Sequence, residues 1–324
     1  MRVLITGAAG QDGTILATLL AQDGHEVIGL VKPGTTYSRL TRYVPAIQVI
    51  EQDLADSSGV RELVRDAAPN QIFNFGGFTA PADSWDHPDE VRLINVEAVR
   101  VLLEASHAIG NGARFFQASS SHIFEGTDRS PQDETFELSP SSPYAKSKAE
   151  ALTLVRKFRE EQGMFAVSGI LYNHESPLRG SNFVTRKVSM AVAKIAAGRL
   201  DVLELGDLEV ARDWGWAPDY VRAMRLMMEA PAPADYVLAT GISHRLSFFV
   251  QKAFAAAGIP QWREHVRSSG SDRPVDTNKM VGDSRRAYLE LGWRHTVDFD
   301  AMAATMVAYD QALLEQPDLL WDGF

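Results

Sequence analysis

The chain has 324 residues, no cysteine and a formal net charge of −10. Disulfides and thiolate metal sites are thereby excluded, a nucleic-acid surface is not expected, and 45% hydrophobic with 23% charged residues fits an ordinary globular protein. No apolar run approaches the roughly 20 residues that span a bilayer, and Met1-Arg2 leads directly into Val3-Leu4-Ile5, so neither a membrane segment nor a signal peptide is expected and a cytoplasmic location is the default.

Taken in order, short apolar runs predict strands at Val3–Ile5, Val27–Val31, Ile47–Ile50, Ile72–Phe75, Phe115–Ala118 and Val167–Leu171. Between the first two, Ile15, Leu16, Leu19 and Leu20 mark one helical face, with Gly24 as a C-terminal stop. Helical patterns also fit 58–67, 89–109, 144–162, 183–198, 219–229 and 246–257. Strands that alternate with helices and carry near-continuous apolar side chains predict a doubly wound parallel sheet, the Rossmann arrangement. The expected division is a dinucleotide-binding domain over 1–170 and a smaller α/β substrate-binding domain over 171–324, some of whose segments return to the first.

Three motifs carry chemistry. Thr6-Gly7-Ala8-Ala9-Gly10-Gln11-Asp12-Gly13 lies between the first strand and the first helix. Gly7 permits a tight turn, Gly10 lets backbone N–H groups approach a pyrophosphate, and Gly13 lets helix and strand pack closely. Ser119-Ser120-Ser121 follows the apolar strand at 115–118, at the carboxyl end where such sheets place ligands. Tyr144 and Lys148 are four apart and share one helix face. A phenol with a pKa near 10 is a poor base. A neighbouring ammonium and an oxidised nicotinamide would favour the phenolate, which could then take a hydroxyl proton while hydride leaves the same carbon. The eight histidines form no ligand-spaced cluster with carboxylates, so no metal is expected.

Together these motifs resemble the extended short-chain dehydrogenase/reductase family, in its nucleotide-sugar 4-epimerase and 4,6-dehydratase branch. Residues 3–225 are similar to GDP-mannose 4,6-dehydratases through Gly10-Gln11-Asp12-Gly13, Phe116-Gln117-Ala118-Ser119, Ser142-Pro143-Tyr144, Asn173-His174-Glu175-Ser176-Pro177, Asn182-Phe183-Val184-Thr185-Arg186-Lys187 and Arg212-Asp213-Trp214-Gly215. Arg273-Pro274, Gly282-Asp283 and Leu291-Gly292-Trp293 resemble the family's C-terminal nucleotide-binding region. The resemblance implies a catalytic set of Ser120, Tyr144 and Lys148. It places Asp53 and Leu54 by the adenine and Phe75, Gly76 and Gly77 along the cofactor, with His174 and Arg179 on the cofactor side. Asn173, Lys187, Arg212 and Arg273 match residues that hold the sugar's nucleotide diphosphate, a role for which arginine forks suit phosphate oxygens. A nucleotide-sugar substrate and a homodimer through helices 89–109 and 144–162 are expected with it.

One departure decides between activities. The dehydratases carry a glutamate, the base at sugar C5, where this chain has His122, and the usual tyrosine two positions on is Phe124. An imidazole can serve as such a base. Yet Ser119-Ser120-Ser121 without the acid resembles the 4-epimerases, which oxidise C4, rotate the ketone and return hydride. The favoured expectation is therefore a 4-epimerase with recycled NAD, acting on UDP-glucuronate, whose carboxylate Thr79, Ser120, Ser121 or His122 could hold. The alternatives are a GDP-mannose type 4,6-dehydratase and a non-catalytic dinucleotide sensor. NAD is favoured by the epimerase reading. NADP is favoured by Lys32 and Arg39, since Leu30-Val31-Lys32-Pro33-Gly34 offers no acid for a ribose 2′-hydroxyl.

Overall fold

The computed structural model describes residues 1–269 and 280–324. The elements run β1 (Arg2–Thr6), α1 (Gln11–Gln22), β2 (Glu26–Val31), α2 (Ser38–Tyr43), β3 (Gln48–Glu51), α3 (Ser57–Ala67), β4 (Gln71–Asn74), α4 (Pro88–Arg92), α5 (Ala98–Ala108), β5 (Arg114–Ser120), α6 (Pro143–Gln162) and β6 (Ala166–Leu171). There follow β7 (Asn173–Glu175), α7 (Val184–Ala196), β8 (Leu203–Leu205), β9 (Ala211–Trp216), α8 (Ala217–Glu229), β10 (Asp235–Leu238), β11 (Ser243–Arg245), α9 (Leu246–Ala256), β12 (Val266–Ser268), α10 (Arg285–Leu291) and α11 (Phe299–Glu315).

Seven strands form one parallel sheet in the order β10-β6-β5-β4-β1-β2-β3. Alternation along β1 explains its two covered faces: Val3 and Ile5 pack with Ile15 and Leu16 of α1, while Leu4 packs with Val60 of α3 and Val99 and Leu102 of α5. The chain winds outward from β1 through β2 to β3, then returns to lay β4 on the other side of β1. That reversal opens a crevice at the carboxyl ends of β1 and β4. A buried polar ladder, Thr6 to Asn74 to Gln117, ties the ends of β1, β4 and β5 together there.

The glycine loop obeys the sequence reading. Gly7 has φ +64°, and a Cβ on it would lie 2.9 Å from the Gly76 nitrogen. A Cβ on Gly13 would sit 2.5 Å from the Gly7 carbonyl oxygen, so α1 and β1 meet at a distance only glycine allows. Helix α6 is bounded as its residues dictate. Ser142 caps it by accepting from the Ala145 N–H, Pro143 takes the first turn and Gly163 ends it in the left-handed region.

Three features go beyond the pattern. Strand β5 extends to Ser120, because Phe115 to Ser120 pair in register with Ala166 to Leu171, so Ser119 and Ser120 are strand residues rather than a turn. Between α4 and α5, Leu93–Glu97 is π-helical. The extra residue aims Asn95 at the 76–78 loop, where it accepts from the Phe78 N–H, and at α6, where it donates to Ser147 Oγ. Finally, β10 comes from the second half of the chain yet completes the first sheet. Its Asp235 accepts from Arg156, Arg159 and the Ser168 N–H, docking α6 on the sheet edge. The remaining strands form a small sheet ordered β11-β9-β7 and the pair β12-β8, with α11 packed on α7 and α9. Among the described residues no helix is long and apolar enough to cross a membrane.

Candidate active site

Two cavities open at the carboxyl edge of the seven-stranded sheet and share Gly7, Ala9, Gly10, Phe75 and Thr79 as walls. The first, of about 400 Å³, runs past Lys32, Asp53, Leu54, Gly76 and Gly77. The second, of about 550 Å³, is lined by Gln11, Asp12, Gly13, Ser120, Ser121, His122, Tyr144, Lys148, Asn173, His174 and Arg179. Thus the glycine loop, the strand-end serines and the helix pair, far apart in sequence, face one space.

Ser120, Tyr144 and Lys148 are each at least nine-tenths buried. The Ser120 hydroxyl and the Tyr144 phenol line the same cavity, and the Lys148 ammonium donates to the Ala118 carbonyl at 3.0 Å while lying 5.8 Å from the Tyr144 ring centre. Burial pushes the Tyr144 phenol up, against the opposing pull of Ser120 and Arg179, and pushes Lys148 down to about 8. The ammonium is engaged by a carbonyl, and desolvation outweighs the charges around the phenol.

His122 lies edge-on to Tyr144 with ring centres 5.5 Å apart. Its Nδ1 is 2.8 Å from Glu125 Oε2, and Glu125 Oε1 accepts from Ser141 Oγ and from the Ser142 N–H at the start of α6. Burial alone would raise Glu125, but hydrogen bonds from His122, Ser141 and Ser142 hold it at about 2. Glu125 was not singled out by sequence reasoning; its spacing of three from His122 was the available signal.

A second polar group closes the crevice from behind. Asp12 and His174 pair at 3.0 Å, and His174 stacks on Tyr220 while its Nδ1 meets the Tyr172 carbonyl. Burial opposes both charges, yet their mutual attraction lowers Asp12 and raises His174. Gln11 donates to the His174 carbonyl and accepts from Ser176, latching β7 to the glycine loop. Arg179 stacks on Phe183, and its buried Nε lies 3.3 Å from Glu175 at an angle that makes no hydrogen bond.

This setting fits a dinucleotide: a side-chain-free glycine turn at a helix start, an elongated cavity beside it, and a buried guanidinium with an unsatisfied donor. Lys32, just past the end of β2, lines the first cavity and stands 4.0 Å from Glu90. Arg39 borders the second cavity, its guanidinium donating to the Ala9 and Leu178 carbonyls. Two expected substrate ligands stand elsewhere. Lys187 donates to the Glu204 carbonyl and Arg212 to that of Ala211, and neither lines these cavities. Arg273 lies outside the described residues. Among the described residues no cluster of three His, Asp or Glu could hold a metal.

Comparison with known proteins separates fold from family. The chain superimposes on dTDP-glucose 4,6-dehydratase DesIV from Streptomyces venezuelae with a TM-score of 0.85 and 22% identity, covering 98% of each chain. It matches UDP-glucose 4-epimerase from Thermus thermophilus almost equally, with a TM-score of 0.84 and 24% identity over 96% of this chain and 99% of that one. Shape therefore does not discriminate between the two activities. Sequence identifies the family: "GDP-mannose 4,6 dehydratase 1" of Arabidopsis thaliana is 37% identical across 99% of this chain and 92% of its own length. The family description GDP-mannose 4,6 dehydratase matches residues 4–306. With the glycine loop, the strand-end serines and the Tyr144–Lys148 pair gathered on one crevice, the chain belongs to the GDP-mannose 4,6 dehydratase family.

Proposed function

We propose that this protein is an NAD(P)-dependent nucleotide-sugar 4,6-dehydratase that takes GDP-mannose. The UDP-glucuronate 4-epimerase expected from the missing glutamate yields to this reading, because resemblance across nearly the whole chain outweighs one substitution. The observation that carries it is the meeting of Ser120, Tyr144 and Lys148 with an ionisable side chain, His122, in one cavity at the sheet's carboxyl edge.

Bound oxidised NAD(P) would supply the hydride acceptor, the later hydride donor, and a positive ring that favours the phenolate. Tyr144 would take the proton of the sugar O4, with Ser120 sharing that hydrogen bond and steadying the oxygen as C4 becomes a ketone. Lys148, tied to the Ala118 carbonyl, would fix the cofactor ribose and hold positive charge beside the phenol. Elimination of the C6 hydroxyl then needs a proton taken from C5 and one delivered to the leaving oxygen, and His122 borders the same space.

Without the epimerase reading, the argument for NAD falls away. Lys32, just past the end of β2 in a segment that carries no acid of its own, favours NADP, although Glu90 lines the same cavity 4.0 Å from it. Helices α5 and α6 would carry the homodimer contact.

Purified protein given GDP-mannose and NADP should form a nucleotide-linked 4-keto-6-deoxyhexose, seen by NMR as loss of the C6 hydroxymethyl signal and gain of a methyl doublet. Formation of UDP-galacturonate from UDP-glucuronate, with GDP-mannose untouched, would overturn the proposal in favour of the epimerase.

A further inference from the structure

The elimination half of the reaction has an acid–base apparatus that differs in kind from a lone carboxylate. His122 sits on the single 3₁₀ turn Ser121–Phe124, begun by Ser120 accepting from the His122 N–H. Its Nδ1 is engaged by Glu125 at 2.8 Å, and no partner is found for Nε2 among the described residues. Glu125, at about 2, is ionised throughout the neutral range, and an ionised carboxylate only accepts hydrogen bonds. The proton shared between them must then belong to Nδ1. In a neutral imidazole that leaves the lone pair on Nε2.

We propose that Glu125 is a positioning residue that fixes the His122 tautomer, so that His122 Nε2 takes the C5 proton of the 4-keto sugar and delivers it to the departing C6 oxygen. This rests on the dehydratase reading above. The C5–H bond breaks toward Nε2, its electron pair becomes the C5=C6 double bond, and the C6–O bond breaks as that oxygen receives the proton and leaves as water. No external oxidant is consumed, because the hydride removed from C4 returns to C6, and the proton that Tyr144 takes from O4 balances the one that C5 regains after its own has left in water. Between the two transfers His122 is an imidazolium, and the Glu125 carboxylate beside it offsets that charge.

The geometry also ties this apparatus to the first half-reaction. The same carboxylate that orients His122 accepts from Ser141 and Ser142 at the start of α6, two residues before Tyr144. One anion thus sets the spacing between the group that serves O4 and the group that serves C5 and C6. The other charged groups bordering the cavity are Lys148 from α6, Arg39, Arg179, and the Asp12–His174 pair. None of these is hydrogen-bonded to the His122 ring.

The discriminating variant is Glu125→Gln. It keeps the size of the side chain and an oxygen that can accept from Ser142, but its nitrogen only donates. It therefore turns Nδ1 into an acceptor and moves the proton to Nε2, where the base was. In single turnover with GDP-mannose, Glu125→Gln should still oxidise C4, seen as reduced-nicotinamide absorbance that accumulates instead of decaying. Product formation and C5 deuterium incorporation from D2O should fall about 10²-fold. Equal turnover of Glu125→Gln and wild type would overturn the proposal, and so would loss of C4 oxidation in parallel with elimination, which would place Glu125's effect on α6 instead. Imidazole ¹⁵N spectra of the wild-type protein provide a test that needs no variant: Nδ1 protonated with Nε2 bare is expected, and the opposite tautomer would refute it. Wild type that forms no 4-keto-6-deoxy product defeats the dehydratase reading itself, whereas an active wild type with an unimpaired Glu125→Gln defeats only this inference.

Discussion

The carboxyl edge of the seven-stranded sheet and the shell built by the second half of the chain handle charge in opposite ways. At the sheet edge, Ser120, Tyr144, Lys148 and His122 are held facing a cavity, and burial leaves Lys148 at about 8 and the Tyr144 phenol raised. In the shell, several cations are engaged by the fold itself. Arg186 pairs with the buried Asp310, which also accepts from Ser189; Lys187 caps the Glu204 carbonyl; Arg222 meets the fully buried Asp219. Lys148 also satisfies a backbone carbonyl, that of Ala118, but it does so while lining the cavity, whereas Lys187 reaches the Glu204 carbonyl away from it. A charge between packed helices must satisfy its neighbours first.

Four measurements would sharpen or break this contrast. The largest effect is expected at the sheet edge: Tyr144→Phe should lower kcat/KM by about 10³-fold, roughly 4 kcal/mol, with little change in urea stability. The reverse pattern belongs to the shell. Asp310→Ala leaves the Arg186 guanidinium buried without its partner and should cost about 3 kcal/mol in urea unfolding. If Asp310→Ala instead spares stability and abolishes turnover, the division between the two regions fails.

Next in size is Lys32→Asp, which should move cofactor preference from NADP toward NAD by about tenfold, a modest change for a lysine this exposed. Dissociation constants for both dinucleotides would read it. The smallest effect concerns acid stability. Glu125 is held at about 2 against an ordinary 4.5, so its contribution is complete above pH 4.5 and is lost as pH falls toward 2. The Tm difference between wild type and Glu125→Gln should therefore narrow across that window. A difference that stays constant would mean the carboxylate is not held by those hydrogen bonds.

Much of the fold was legible because its elements are locally encoded. Strands β1 to β6 and helices α1, α3, α6, α7, α8 and α9 fall within a few residues of their predicted spans, since apolar runs, N-caps and glycine stops are properties of neighbouring residues. Short strands such as β7 and β11 were not legible, because three residues carry too little pattern to be separated from loop. The π-helical turn that aims Asn95 also leaves no mark in the apolar spacing.

The sequence by itself determined the doubly wound sheet, the glycine turn and the one-face placement of Tyr144 and Lys148. All three follow from residue type and spacing along a single element. Tertiary structure alone decided that Glu125 would claim His122 Nδ1, that Asp12 and His174 would pair across the crevice, and that Lys187 would turn to the Glu204 carbonyl. Those outcomes depend on which donors and acceptors the packed chain brings within reach of one another, and no local pattern states that.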